Sequence, residues 1–129
     1  MMQQNKTILV IDDDTRNVFA MSAVLRSRGY TCLGALSMAE AFAYLNAKEN
    51  IDLVLIDMMM PGMDGYEAIP LIRESLQQAK MPLIAVTAQA MPGDRQKCLE
   101  AGADDYLAKP VNTDKLFKML DNYLQNKAS

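Results

Sequence analysis

Four short apolar runs in this chain each end at side chains that can bind a metal ion or a phosphate. Three of them span residues 8–11, 53–56 and 83–86, and a shorter one lies around Tyr106. The polar groups that follow them are, in order, Asp12 and Asp13, Asp57, Thr87, and Lys109. A strand buried on both faces is apolar throughout, so packing explains the runs. Packing does not explain why all four end in this chemistry.

Length and composition favour one globular domain spanning residues 1–129. The chain is long enough to bury a sizeable core, and its content of 50% hydrophobic and 22% charged residues is ordinary for such a domain. The net charge is −3 with no cluster of Lys and Arg, which argues against direct nucleic-acid binding. No apolar run approaches the length of a membrane span. The polar start, residues 1–6, does not resemble a secretory signal, so a cytoplasmic location is expected.

The absence of histidine removes several classes of site. With no His in the chain, histidine-based zinc sites and Ser/His or Cys/His nucleophile pairs are excluded. The two cysteines, Cys32 and Cys98, have no partners at metal-ligand spacing. We expect both to be reduced and packed as small apolar side chains. The eleven methionines are interpreted in the same way, as core and loop filling.

Strand and helix patterns alternate about five times along the chain. Besides the four runs, a weaker strand is predicted over 30–35. Apolar spacing and end signals predict helices over 15–28, 38–45, about 65–76, about 92–102 and 113–124. Apolar strands separated by helices imply a parallel sheet covered on both faces, with right-handed connections. The predicted fold is therefore an open, doubly wound α/β domain of five strands, for which we take the flavodoxin-like order 2-1-3-4-5, one of the two common orders of such sheets.

Three local signals refine this prediction. Ser37 is expected to cap the second helix. Asp14 is expected to cap the first helix through its carboxylate, although direct metal binding is an alternative. Pro70 falls about one turn inside the third helix and should kink that helix or delay its start.

The carboxyl ends of strands 1 and 3 form the predicted reaction site. Neighbouring strands lie about 4.8 Å apart, so Asp12 and Asp13 should converge with Asp57. Like charges at that spacing repel unless a cation neutralises them, and oxygen ligands on an open rim suit Mg²⁺. Asp57 is then placed to attack phosphorus as a carboxylate nucleophile, with Lys109 as a second cation and Thr87 as a hydroxyl donor.

Four segments together resemble the receiver domains of two-component response regulators, as found in the chemotaxis receiver. They are ILVIDDD, DLVLIDMMMPGMDG, IAVTA and AGADDYLAKP, and the resemblance covers residues 6–125. It implies that Asp57 is the phosphoacceptor and that magnesium is held by Asp57, Asp12, Asp13 and the backbone carbonyl of Met59. It also implies phosphate contact by Lys109, a switch pair of Thr87 and Tyr106, and a cis bond between Lys109 and Pro110.

The resemblance further implies a phosphoryl donor and a downstream target. The donor would be a phosphohistidine on a sensor histidine kinase or a histidine phosphotransfer protein. The fourth helix, fifth strand and fifth helix would form the face read by a protein target, with the domain monomeric or dimerising on phosphorylation. Met59 and Gln89 flank the path of a hydrolytic water and are expected to tune the lifetime of the phosphoryl group. Neither membrane nor nucleic-acid contact is expected, nor turnover of an external substrate.

Two other classes of function remain open from the sequence. A phosphatase of the haloacid dehalogenase type also starts with a strand ending in Asp-x-Asp, but its usual Thr or Val would fall on Arg16. A degenerate receiver would dock a partner without accepting phosphate. The run TAQAMPGDRQKCLEAGADDYLAKP resembles receivers of hybrid histidine kinases, which favours such a receiver over a stand-alone one.

Overall fold

A computed structural model describes residues 6–47, 50–62, 64–76, 81–88 and 93–125. Its sheet contains five parallel strands in the order β2-β1-β3-β4-β5, as predicted. The strands are β1 (Thr7–Ile11), β2 (Thr31–Ala35), β3 (Leu53–Asp57), β4 (Leu83–Thr87) and β5 (Asp105–Ala108). All residues of β3 and β4 are buried, which is the reason why these segments read as continuous apolar runs.

Five helices connect or follow the strands. They are α1 (Thr15–Arg26), α2 (Met38–Asn46), α3 (Gly65–Leu76), α4 (Asp94–Ala101) and α5 (Thr113–Leu120). Two core clusters lie on opposite faces of the sheet. Leu25 of α1 and Leu116 of α5 belong to one cluster, whereas Met38 of α2, Ile69 of α3 and Cys98 of α4 belong to the other. The helices therefore cover both faces, as expected for a doubly wound fold.

The structure contains both predicted helix caps but not the predicted delay in the start of the third helix. The carboxylate of Asp14 accepts a hydrogen bond from the Arg16 backbone N–H at 2.9 Å, which confirms the predicted N-cap. Ser37 likewise caps α2 by accepting from the Glu40 N–H at 3.2 Å. The prediction of a delayed start at Pro70 was wrong, since α3 begins at Gly65 with Pro70 inside it, and the alternative, a kink at Pro70, stays a prediction. The fully buried face of α3 supplies the packing that sustains a helix against such a local penalty.

The end of the last helix also differs from its prediction. Instead of continuing to residue 124 as an α-helix, α5 ends at Leu120 and is followed by a π-helical turn over Asp121–Gln125. Leu124 is still buried, and the Tyr123 hydroxyl donates to the backbone carbonyl of Asp104 at 3.0 Å. The wider π-helical turn allows Leu124 to pack in the core while Tyr123 makes this hydrogen bond.

Both cysteines are buried and free, in agreement with their predicted packing role. Among the residues that the structure describes, no helix combines the length and the hydrophobicity required to cross a membrane.

Candidate functional site

Three carboxylates meet at the carboxyl end of the sheet. Strands β1 and β3 are direct neighbours, with Ile11 opposite Ile56, so the residues that follow in each chain segment lie side by side. One carboxylate oxygen from each of Asp12, Asp13 and Asp57 lies within 4.8 Å of the others. A group of three oxygens at that spacing could hold a metal ion, and carboxylate oxygens are the ligands that hard divalent cations prefer.

Lys109 supplies the positive charge at this site. Its Nζ lies 3.3 Å from Oδ2 of Asp57 and 3.9 Å from Oδ2 of Asp12. The backbone N–H of Lys109 donates to the carbonyl of Thr87 at 2.8 Å, which ties the segment after β5 to the end of β4. The peptide bond between Lys109 and Pro110 is cis.

The electrostatics of Asp12 reflect the crowding of like charges. Burial is the main cause that raises the pKa of Asp12, and the negative charge of Asp57 raises it further. A hydrogen bond from the Asp14 N–H, 3.0 Å from Oδ1, and the charge of Lys109 act in the opposite direction. One ammonium group does not balance the carboxylates at this rim, which leaves capacity for a further cation.

The loop after β3 holds the Asp57 side chain from the other side. The Met59 backbone N–H donates to Oδ1 of Asp57 at 3.0 Å, while Oδ2 faces Lys109. The Met59 side chain is 54% exposed. The preceding Met58 is fully buried, and its carbonyl accepts a hydrogen bond from the Gly65 N–H at 3.2 Å. A Cβ at Gly65 would collide with the Met58 sulfur, so glycine permits this close approach.

The remaining predicted site residues lie along the same rim and in the strand next to it. Thr87 ends β4, is buried, and pairs with Ala108 of β5. Tyr106 pairs with Ala85 in the same two strands and packs against the core on the α2–α4 side. Gln89, which was predicted to influence the phosphoryl lifetime, lies outside the described residues.

One residue near the site was not singled out from the sequence. Asn17, in the first turn of α1, lines the same cavity as Asp12, Asp57 and Lys109. Its side chain acts to lower the pKa of Asp12, against the larger effect of burial. Its position one helical turn after Asp13 was the available signal, because that spacing brings a side chain back toward the rim.

Comparison with known proteins agrees with this architecture. The family model of the response regulator receiver domain matches residues 8–121. The chain is 40% identical over 118 residues to the sensor histidine kinase RcsC of Escherichia coli, a match that covers 92% of this chain and 12% of that kinase. The chain thus corresponds to a small part of that relative's length.

Two solved structures share the fold over nearly their whole lengths. The receiver domain of the sensor histidine kinase PA1611 from Pseudomonas aeruginosa has a TM-score of 0.83 at 35% identity, covering 94% of this chain and 98% of that one. That structure holds a magnesium ion coordinated in its active-site cleft. The receiver domain of the Francisella response regulator 1452 has a TM-score of 0.85 at 28% identity, covering 95% and 99%.

The class of protein follows from the fold, the site and these matches. This chain belongs to the response regulator receiver domain family of two-component signal transduction. The predicted strand order and family are confirmed, and a role in phosphorelay signalling agrees with both.

Proposed function

We propose that this domain accepts a phosphoryl group from a phosphohistidine onto the carboxylate of Asp57. The observation that carries the proposal is the convergence on Asp57 of two further carboxylates and one ammonium group. The three carboxylates lie within 4.8 Å of one another, and Lys109 Nζ lies 3.3 Å from the acceptor. A site of this kind promotes phosphoryl transfer mainly by positioning and charge neutralisation.

Magnesium is the proposed cofactor. Asp12, Asp13, Asp57 and the backbone carbonyl of Met59 would hold it, and a set made only of oxygen donors fits this hard cation. When bound, Mg²⁺ supplies charge neutralisation for the phosphoryl oxygens and for the crowded carboxylates.

The chain's own groups orient the acceptor and receive the product. The Met59 N–H holds one oxygen of Asp57, which limits rotation of the carboxylate. Transfer forms an O–P bond at Asp57 and breaks the N–P bond of the donor, whose ring carries a proton on its other nitrogen and so leaves as neutral imidazole. Lys109 then contacts a phosphoryl oxygen as a point charge, and the Thr87 hydroxyl donates to another.

The proposed output is a shift between two packings of the sheet edge. Thr87 would move toward the phosphoryl group, and Tyr106 would occupy the space that it leaves. The face formed by α4, β5 and α5 would then bind a protein target. Only Asp94 and Cys98 of α4 are buried, so this helix is lightly anchored, which supports its role in the change.

Several wider aspects of the proposal follow from the family. The donor would be a sensor histidine kinase or a phosphotransfer protein in the cytoplasm, and the domain would act as a hybrid-kinase or stand-alone receiver. It would be monomeric or dimerise on phosphorylation. Met59 and Gln89 would adjust how readily water reaches the aspartyl phosphate.

Mass spectrometry of the intact protein tests the proposal. After incubation with acetyl phosphate and Mg²⁺, we expect one phosphate adduct that requires Mg²⁺ and is absent in Asp57→Asn. Asp114→Asn, an exposed change in α5, is the matched control and should retain the adduct. No adduct in the folded wild type under saturating donor would favour the docking module. Repeated hydrolysis of a phosphate ester would favour the phosphatase.

A further inference from the structure

A cavity lies next to the carboxylates, on the face of the sheet that α1 and α5 cover. This cavity of about 300 Å³ opens beside Asp12 and Asp57 and extends between α1 and α5. Its inner wall is apolar and includes Val10, Val24, Leu55, Val86 and Leu116. The strand residues of this wall are almost fully buried, so the cavity reaches beneath the molecular surface.

The size of the cavity sets the size of a ligand. An apolar protein cavity of about 150 Å³ is large enough to bind benzene. A cavity of about 300 Å³ therefore has room for one aromatic ring with a short tether. Pockets that bind small molecules combine such apolar walls with a few polar groups that fix orientation, and this cavity has its polar groups at one end.

The charge at that end sets the chemistry of the ligand's polar head. Asp12, Asp57 and Lys109 line the polar end of the cavity, and Asp13 lies within the same carboxylate cluster. Three carboxylates against one ammonium leave a surplus of negative charge, which attracts a cation and repels an anion. The side-chain oxygen of Asn17, which also lines the cavity, can accept a hydrogen bond from an ammonium head.

We propose that this cavity binds a small primary arylalkylamine. The aromatic ring lies in the apolar compartment and the ammonium lies at the carboxylates. Because the ammonium uses carboxylates that would also hold Mg²⁺, the two cations exclude each other. Occupancy of the cavity would therefore suppress phosphoryl acceptance at Asp57, a consequence that rests on the proposed function, whereas the binding itself does not.

Titration of ¹⁵N-labelled protein with phenethylamine in EDTA tests the binding. Saturable shifts are expected at the backbone amides of Val24, Val111 and Leu116, which line the cavity. Butylamine keeps the charge but lacks the ring, and phenylacetate keeps the ring but reverses the charge. Each should bind about tenfold or more weakly, because each loses one of the two contributions. Equal affinity for all three probes, or no saturable shift, would overturn the proposal.

Two substitutions on α1 locate the site. Ala20 and Ala23 are both exposed, but only Ala20 lines the cavity. Ala20→Phe narrows the entrance and should weaken phenethylamine binding about tenfold or more, while the control Ala23→Phe should leave it unchanged. Both exposed positions tolerate a larger side chain, and an unshifted amide spectrum elsewhere verifies folding. Wild-type affinity in Ala20→Phe would place the amine outside the cavity and reject the proposal.

Competition with Mg²⁺ tests the position of the ammonium. The apparent Kd of phenethylamine should rise linearly with free Mg²⁺, by a factor of one plus the ratio of free Mg²⁺ to its Kd, and the apparent Kd of Mg²⁺ should rise with the amine in the corresponding way. An amine affinity that Mg²⁺ does not change would contradict the proposed position. This test is independent of phosphorylation. Amine binding without an aspartyl-phosphate adduct would reject only the proposed function, and an adduct without amine binding would reject only this inference.

Discussion

The two ends of the sheet use aspartate in opposite ways. At the amino end, Oδ2 of Asp104 accepts hydrogen bonds from Arg73 at 2.8 Å and from the Leu83 N–H at 2.9 Å. At the carboxyl end, Asp12 and Asp57 share a single Lys109 at 3.9 and 3.3 Å. At the amino end, hydrogen-bond donors compensate the carboxylate of Asp104. At the carboxyl end, carboxylates outnumber cationic groups.

Arg73 shows what the matched end contributes. It donates to the carbonyls of Gly102 and Met81 and to the carboxylate of Asp104, and thereby joins α3 to the starts of β4 and β5. Such fully bonded groups hold the architecture in place. The crowded end is the part of the sheet where binding energy remains available, because the described residues do not compensate its charges. The polar groups at the amino end therefore stabilise the fold, whereas those at the carboxyl end are available to bind a ligand.

The largest expected effect is a loss of stability when Arg73 is replaced at the amino end of the sheet. Arg73→Ala should lower the free energy of unfolding by about 3 kcal/mol, because partly buried carbonyl groups and the Asp104 carboxylate lose their donor. Chemical denaturation measures this value. Arg16→Ala is the matched control, since the pair of Arg16 with Asp14 is solvent-exposed and should contribute nothing measurable.

Arg73→Ala also tests whether the amino end of the sheet can be changed without affecting phosphorylation at the carboxyl end. At a temperature where Arg73→Ala is folded, it should still acquire the Mg²⁺-dependent phosphate adduct, whereas Asp57→Asn should not. Loss of the adduct in folded Arg73→Ala would show that the two ends are not independent.

The next effect is the stabilisation by Mg²⁺ at the carboxyl end. A ligand that binds only the folded state at about 100 times its Kd raises the free energy of unfolding by about 2.7 kcal/mol. We expect this gain in wild type on addition of Mg²⁺ and its loss with EDTA. Asp13→Asn should lose most of the gain and, without Mg²⁺, should be no less stable than wild type, since it relieves repulsion. The control Asp114→Asn should behave as wild type at equal ionic strength. If Asp13→Asn showed the full Mg²⁺-dependent increase in the free energy of unfolding, the proposed set of metal ligands would be contradicted.

A smaller effect is expected where the last turn meets the amino end. The Tyr123 hydroxyl lies 3.0 Å from the carbonyl of Asp104 and 3.2 Å from the carboxylate of Asp105. Tyr123→Phe removes this donor and should cost about 1 kcal/mol. Amide hydrogen exchange in β5 should accelerate, and phosphate labelling should be unchanged. Unaltered exchange would mean that the π-helical turn does not stabilise the strand.

The smallest effect is expected in the pH dependence of stability without metal. Burial raises the pKa of Asp12 above its ordinary value of 3.8, so its ionised form is unfavourable in the folded state. This cost is complete above the raised pKa, decreases as the pH falls through it, and vanishes below 3.8. In EDTA, Asp12→Asn should therefore be more stable than wild type at neutral pH and equal to it at low pH. Urea unfolding across the pH series measures the difference, and a gain found only in acid would reverse the sign of the argument.

Much of the candidate site could be predicted because its geometry follows from the backbone. In a parallel sheet the carboxyl ends of neighbouring strands coincide, so Asp12 and Asp57 converge once their strands are recognised. Asp14 and Ser37 cap helices through bonds to backbone groups only two or three residues away, and such contacts are encoded locally. The roles of Met59, Thr87, Tyr106 and Gln89 remain predictions that the phosphorylation experiments must test.

Contacts between distant residues could not be predicted in the same way. The bonds of Arg73 to Gly102 and Asp104 span 29 and 31 residues, and no periodic pattern identifies them. The π-helical turn after Leu120 depends on Leu124 packing in the core while Tyr123 reaches β5. The cavity beside Asp12 depends on how closely α1 approaches α5, which side-chain packing sets.

The sequence by itself determined the strand order, the convergence of three carboxylates with one lysine, and the receiver family. Burial and backbone periodicity predict the alternating strands and helices, and the four motifs carry the resemblance to the receiver family and its strand order. Only the tertiary structure decided which aspartates are matched by donors and which are left crowded, how the last helix ends, and where the apolar cavity opens. Those outcomes depend on side-chain packing between segments far apart in sequence, where many arrangements satisfy the same local pattern.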